Sequence, residues 1–197
     1  MRLGAGVFAA LLLASTALGV ASCREATQMQ LIVKSNVPCD QLRGVAINVG
    51  ASAKDLEDNV GSFAEAKTDR SQCGPDGTIG TVYLVPGAPQ GAVLVRAGYG
   101  NQEPTACLPS NKYKGCIVAR RTFYYFDART LTITVNLDPN CLDVPCGVLS
   151  TCSNGSCVSS EAVCKGDKCD VDPMATRPAD DPISSDAGSS DAGQSDA

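Results

Sequence analysis

The side chains most able to do chemistry in this chain are its 11 cysteines, because the sequence contains no histidine. Without an imidazole group, the chain cannot form a Ser-His-Asp triad, a Cys-His pair, an H-E-x-x-H zinc site or a histidine acid–base step. The sequence also lacks a G-x4-G-K-[ST] phosphate loop and a G-x-G-x-x-G motif that opens a helix. These absences exclude most common hydrolases. The expectation is a protein that is not an enzyme, with no catalytic residue, no cofactor and no metal site.

One cysteine, Cys23, differs from the others by its position. It follows a positive Met1-Arg2 start, an uncharged run from Leu3 to Ser22 and the small residues Ala21 and Ser22, an order typical of a secretory signal. The alternative, a retained membrane helix, has about the right length, but its many alanines and glycines make it a weak span. Because 11 is odd, setting Cys23 aside leaves ten cysteines that can all pair.

The four residues Val20-Ala21-Ser22-Cys23 resemble the lipobox of bacterial lipoproteins. The resemblance implies that the Cys23 thiol is acylated and that cleavage makes Cys23 the first residue of the mature chain. Arg24 follows in place of the aspartate that retains Gram-negative lipoproteins in the inner membrane. The expected location is therefore the outer membrane, with the lipid as the membrane partner and the protein facing either the periplasm or the outside.

Six segments predict strands, because they are rich in β-branched residues, alternate in polarity or form short apolar runs, and are bounded by glycine and proline. They are QLIVK (30–34), GVAINVGA (44–51), GTVYLV (80–85), AVLVRA (92–97), CIVARRTFYYF (116–126) and LTITVNL (131–137). One helix is expected in SAKDLEDNVG, with Ser52 as its N-cap and Gly61 as its end. The fold class is mainly β: an antiparallel β-sandwich, immunoglobulin-like or transthyretin-like, followed by a small disulfide-rich module and a disordered tail.

The composition divides the chain into five parts. These are a signal peptide (1–22), a lipidated linker (23–27), the β-sandwich (28–138), a cysteine-rich module (139–170) and a disordered acidic Ser/Asp/Ala/Gly tail (171–197). When Arg2 and the five aspartates of the last 20 residues are set aside, the chain has 15 basic and 16 acidic residues. The body is therefore near neutral, and the sequence offers no basic face for nucleic acid.

Ten cysteines are expected to form disulfides, since an envelope compartment is oxidising. Zinc at CKGDKC would compete with that oxidation and is disfavoured. Cys107 and Cys116 flank a short loop, which leaves Cys39 for Cys73. The last six cysteines allow 15 pairings. They are Cys141, Cys146, Cys152, Cys157, Cys164 and Cys169.

The C-x4-C-x5-C spacing of Cys141, Cys146 and Cys152, with Gly147 and an SNG turn, resembles the front half of an epidermal-growth-factor-like module. The resemblance implies Cys141 with Cys152 and Cys146 with Cys157, leaving Cys164 and Cys169 to close a small loop. A calcium site in this module is an alternative to the absence of a metal, but it is disfavoured because Asn140 stands where such modules carry glutamate. The oxygen ligands of the calcium would come from Asp138, Asn140, Asp167, Asp170 and Asp172.

Taken together, the lipobox, the β-rich body and CLDVPCG…TCSNGSCV resemble the cysteine-rich lipoproteins of myxobacteria. That resemblance implies a location and an architecture but no activity. The expected function is a non-enzymatic structural or binding component of the cell envelope. The alternative is a carboxylate-based envelope hydrolase or an enzyme-inhibitor domain.

A basic and aromatic segment, NKYKGCIVARRTFYYFDAR, is the candidate binding surface for an anionic glycan or a protein. The candidate contact residues are Lys112, Tyr113, Lys114, Arg120 and Tyr124. Because neighbouring residues of a strand point to opposite faces, Arg120 and Arg121 should not share one surface. About half of the aromatic side chains should pack in the core, so packing competes with binding as the reason for this composition.

Overall fold

Two β-sheets pack face to face in the computed structural model, which describes residues 26–60, 65–176 and 178. The predicted signal peptide, Cys23, the predicted helix end at Gly61 and most of the acidic tail lie outside these residues. The strands of the sandwich are β1 (Gln28–Ser35), β2 (Leu42–Gly50), β3 (Glu65–Asp69), β4 (Thr78–Leu84), β5 (Gln90–Tyr99), β6 (Cys116–Tyr124) and β7 (Thr130–Leu137). Four short strands follow: β8 (Ser150–Ser153), β9 (Ser156–Ser159), β10 (Ala162–Lys165) and β11 (Lys168–Val171).

The first sheet has the strand order β10-β11-β7-β1-β4, and the second has the order β3-β2-β5-β6. All neighbours are antiparallel except β1–β7 and β7–β11, which are parallel. The mainly β, antiparallel sandwich is confirmed, and each of the six predicted segments contributes a strand. The sequence analysis missed β3, because its segment EAKTD is polar and gains its strand conformation only by pairing with β2.

The alternation of buried and less buried residues along β1 and β7 explains how the first sheet faces the core. Strand β1 buries every second residue, and β7 does the same. Their parallel register places Leu31 opposite Ile133 and Val33 opposite Val135, so both buried rows face the core together. These four side chains are at most 1% exposed.

The second sheet is covered on both faces. Nine consecutive residues of β5, from Gly91 to Tyr99, are buried or half-buried, and β6 is similar. Their inner faces pack on the first sheet, whereas their outer faces lie under the helix α1 (Ala53–Asp58). This helix begins as predicted, since the Ser52 hydroxyl accepts a hydrogen bond from the Asp55 amide at 3.1 Å.

The remaining helical segments are single turns, and the part of the chain that the structure describes has no helix long and apolar enough to cross a membrane. The turns are Arg70–Gln72, Pro104–Ala106, Pro109–Asn111 and Pro139–Cys141.

The cysteine-rich segment packs into the sandwich. The β10–β11 hairpin extends the first sheet through β7, while β8 and β9 form a separate two-stranded sheet. Cys141, Cys152 and Cys169 are members of the same buried cluster as the sandwich core. The segment therefore contributes to the core on which β6 and β7 also depend.

Five disulfides join the cysteines in the expected pairs. They are Cys39–Cys73, Cys107–Cys116, Cys141–Cys152, Cys146–Cys157 and Cys164–Cys169. The first spans a sequence separation of 34 and ties the β1–β2 loop to the segment before β4, whereas the last spans only 5 within one hairpin. Because a disulfide restricts the unfolded chain more when it closes a longer loop, the two should differ in their effect on stability.

We predict that replacing Cys39 and Cys73 by alanine lowers the free energy of unfolding more than replacing Cys164 and Cys169. Chain-entropy estimates give losses of about 4 and about 2 kcal/mol, respectively. Urea unfolding under oxidising conditions, followed by circular dichroism, measures both. Equal losses, or a larger loss for the hairpin pair, would contradict this account.

Candidate functional site

The structure divides the predicted binding segment between surface and interior. Lys112 and Lys114 are exposed, and Tyr124 is 58% exposed. Tyr113 is half-buried. Arg120, the fifth predicted contact residue, is buried with its side chain 4% exposed, so its guanidinium is not presented to solvent.

Arg120 instead forms a buried ion pair with Glu57 of helix α1. Its Nη2 donates to the two carboxylate oxygens of Glu57 at 2.9 and 3.1 Å, and its Nε donates to Oε2 at 3.3 Å. The guanidinium carbon also lies 5.3 Å from the centre of the Tyr113 ring. A carboxylate and an aromatic ring thus occupy the positions that a ligand would need.

Local sequence explains why Glu57 reaches this arginine. The Ser52 cap starts the helix, and Ala53 and Leu56 bury its inner side against the outer face of β5 and β6. Glu57 follows Leu56 and lies beside the buried stripe, with its side chain 14% exposed. The helix therefore holds the carboxylate over the middle of β6.

A second buried arginine, Arg96, lies on the same outer face. Its side chain is 1% exposed and forms an ion pair with Glu65 of β3. It also donates hydrogen bonds to the side-chain oxygen of Asn48 at 2.7 Å and to the carbonyl of Cys107 at 2.9 Å. Strand register places Arg96 opposite Val118 and diagonal to Arg120. Sequence analysis did not single out Arg96, although a cation inside the apolar run AVLVRA was a usable signal.

Arg121 points to the opposite face of β6, as strand alternation requires. Its Nη1 donates to the carbonyl of Arg120 at 2.8 Å and to the hydroxyl of Thr151 at 3.2 Å, and its Nη2 lies 3.4 Å from a carboxylate oxygen of Asp170. Burial lowers the pKa of Arg121 to about 10, and the Asp170 carboxylate opposes that shift. The group is still a cation at neutral pH, and Asp170, 52% exposed, is a weak partner.

Arg121 lines a polar pocket of about 240 Å³ at the edge between the two sheets. The polar residues around it are Asn36, Asn136, Asp138, Ser153, Asn154 and Asp170. Two of the acids suggested for calcium, Asp138 and Asp170, thus share a pocket. Within residues 26–60, 65–176 and 178, however, no group of three or more Cys, Asp or Glu residues could hold a metal ion.

The exposed lysine Lys112 lines a different groove, also of about 240 Å³, on the outer face. Tyr113 and Glu57 form part of its wall, together with Pro145 and Val148 of the cysteine-rich segment. Burial raises the pKa of the Tyr113 hydroxyl far above its usual value, the nearby Arg120 charge opposes this shift, and Glu57 adds to it. The tyrosine is therefore neutral at physiological pH.

Comparison with known proteins gives no assignment. No protein-family model matches the chain, and no curated protein is significantly similar to it. The function has to be argued from the residues and the geometry.

We predict that Glu57→Gln destabilises the protein by about 3 to 5 kcal/mol, because it leaves Arg120 as an unpaired buried cation. Thermal and urea unfolding of the variant measure the loss. The double variant Glu57→Leu with Arg120→Met should recover most of it, since two apolar groups replace the pair.

Asp58→Asn on the same helix is the matched control. Asp58 pairs with Lys54, but both side chains are more than half exposed, so the loss should be under about 1 kcal/mol. A Glu57→Gln variant as stable as Asp58→Asn would show that the buried pair does not hold the helix on the sheet.

Proposed function

We propose that the protein is a non-enzymatic lipoprotein, anchored by acylated Cys23 in the outer membrane, that serves as a structural or binding component of the cell envelope. One observation carries the proposal. The five disulfides use ten of the 11 cysteines, and the remaining one stands at the end of the lipobox-like Val20-Ala21-Ser22-Cys23.

The disulfides also support an envelope location. Structural disulfides persist in the periplasm and at the cell surface, whereas cytosolic thiols are kept reduced. Five bridges in the described residues imply oxidative folding, which requires export. Export is the step that a secretory signal before Cys23 would direct.

The arginines of β5 and β6 support a role as a stable scaffold. Arg96 and Arg120 each pair with a glutamate inside the protein, and Arg121 is held by Thr151 and Asp170. The guanidinium groups of Arg96 and Arg120 are not available to a ligand without breaking an ion pair inside the protein. The contacts of the three arginines stabilise the packing of helix α1, β3 and the cysteine-rich segment on the second sheet.

We predict that Cys23→Ser abolishes lipid attachment. In a Gram-negative host fed an alkyne-labelled fatty acid, the wild-type protein should carry the label and co-purify with outer membranes, and the variant should do neither. The double variant Cys164→Ser with Cys169→Ser is the matched control, because it removes two other thiols and should keep the label. Label retained by Cys23→Ser, or an unacylated intact mass for the wild type, would refute the anchor.

We assign the envelope ligand to the groove beside Lys112, together with the exposed Lys114 nearby. Two lysines and the Tyr113 ring provide charge and an apolar face for an anionic glycan. Because Glu57 is already paired with Arg120, its charge is largely compensated at the groove wall.

We predict that Lys112→Glu with Lys114→Glu weakens binding to purified lipopolysaccharide several-fold, since charge reversal repels its phosphates. Surface plasmon resonance of the purified protein at low salt measures the change. Lys165→Glu with Lys168→Glu is the control, because both lysines are exposed on the β10–β11 hairpin. Equal losses for the two double variants would indicate only a general charge effect and would remove this groove as the site.

A further inference from the structure

The end of the sandwich at which β1 begins gathers two turns and the start of the described chain. Ala128, in the β6–β7 turn, donates its amide hydrogen to the Thr27 hydroxyl at 2.9 Å. The amide of Tyr125 in the same turn donates to the Pro89 carbonyl in the β4–β5 turn at 3.0 Å. We call this the proximal end; it comprises residues 26–27, 85–89 and 124–129.

The proximal end carries exposed apolar side chains. Val85 is 77% exposed, Tyr124 is 58% exposed and Phe126 is 49% exposed. A groove of about 610 Å³ runs between the turns, and its wall consists mainly of proline and aromatic side chains. Its residues are Thr27, Pro86, Ala88, Pro89, Tyr125, Phe126 and Asp127. Tyr124 lines a second pocket at this end, together with Lys54 and Glu161. Exposed apolar side chains gathered at one end of a domain are typical of a contact region.

Charge at the proximal end is small and balanced. The turn 85–89 has no charged residue, and the turn 124–129 has one exposed acid, Asp127, and one exposed base, Arg129. A highly charged partner therefore gains little here, whereas an apolar or interfacial partner gains from burying valine, phenylalanine and tyrosine. Tyrosine in particular favours the boundary between water and acyl chains, and phenylalanine is common on the apolar face of segments that lie in this layer.

The distance along the chain from Cys23 limits where this end can lie. Only three residues, 24–26, separate Cys23 from Thr27. A fully extended chain spans at most about 3.6 Å per residue, so the two Cα atoms are within about 15 Å of each other. An acyl chain on Cys23 inserted in a bilayer would therefore hold the proximal end at the membrane surface.

We propose that the proximal end is a membrane-contact surface, with Val85, Tyr124 and Phe126 in the interfacial layer of the lipid bilayer. The proposal rests on the proposed lipid at Cys23. It goes beyond that lipid because an anchor alone fixes attachment to the membrane, whereas contact at the proximal end also fixes the orientation of the domain. Contact at this end orients the sandwich with its strands directed away from the membrane. Lys112, just before the start of β6, then lies toward the end of the domain opposite Tyr124.

Tryptophan fluorescence tests the proposal directly, because the chain contains no tryptophan. In the full lipidated protein, Phe126→Trp places one reporter at the proximal end, and Met174→Trp places another beyond β11. Met174 is the matched position, since it is 86% exposed and β11 runs parallel to β7, away from Thr27. Val85→Trp is a second proximal reporter at an exposed position, for use if Phe126→Trp folds poorly.

Each variant is reconstituted into vesicles of phosphatidylethanolamine and phosphatidylglycerol, with and without brominated acyl chains. We expect the proximal tryptophan to shift to shorter wavelength and to lose about half or more of its intensity with brominated lipid, as a residue in the interfacial layer would. The tryptophan at 174 should show neither change.

The possible results separate this inference from the anchor itself. Protein that carries the acyl mass and floats with vesicles, but whose proximal tryptophan is unquenched, overturns the membrane-contact surface and leaves the anchor intact. A wavelength shift without quenching overturns it in favour of a contact between copies of the chain. Equal quenching at 126 and 174 overturns the orientation. Protein without acyl mass that fails to float refutes the proposed function, and this inference with it.

Discussion

Strand β6 is buried on both faces, and the two arginines at its centre must therefore be neutralised inside the protein. A buried guanidinium without partners costs several kcal/mol, so each must be supplied with acceptors by whatever packs on its face. Arg120 receives Glu57 from helix α1, and Arg121 receives Thr151 and Asp170 from the cysteine-rich segment. Both covering elements therefore supply acceptors to a buried cation as well as apolar or disulfide contacts.

The cysteine-rich segment therefore contributes to the stability of the sandwich. The Thr151 hydroxyl accepts hydrogen bonds from the Arg120 amide at 3.0 Å and from the Arg121 guanidinium. Three disulfides hold this segment in place, in a stretch with few large apolar side chains of its own. Covalent closure therefore provides the rigidity that allows a polar cover to sit over a buried cation.

Alternation and capping made much of the fold predictable. The periodicity of LTITVNL defines β7, Ser52 defines the start of α1, and the resemblance to an epidermal-growth-factor-like module implied two of the disulfides that the structure forms. The candidate site was less predictable. In the sequence, Arg120 lies in a basic and aromatic segment typical of a binding surface. Only its tertiary contact with Glu57, 63 residues away in sequence, shows that its side chain is buried.

Parallel pairing has a mechanical consequence. Strands β1, β7 and β11 run in the same direction, and β1 pairs with β7 over eight residues. Tension applied between the start of β1 and the end of β11 would pull these two strands in opposite directions past β7, which lies between them. The inter-strand hydrogen bonds would then be loaded in shear, and the β7–β11 pairing, which covers two residues against eight for β1–β7, would separate first.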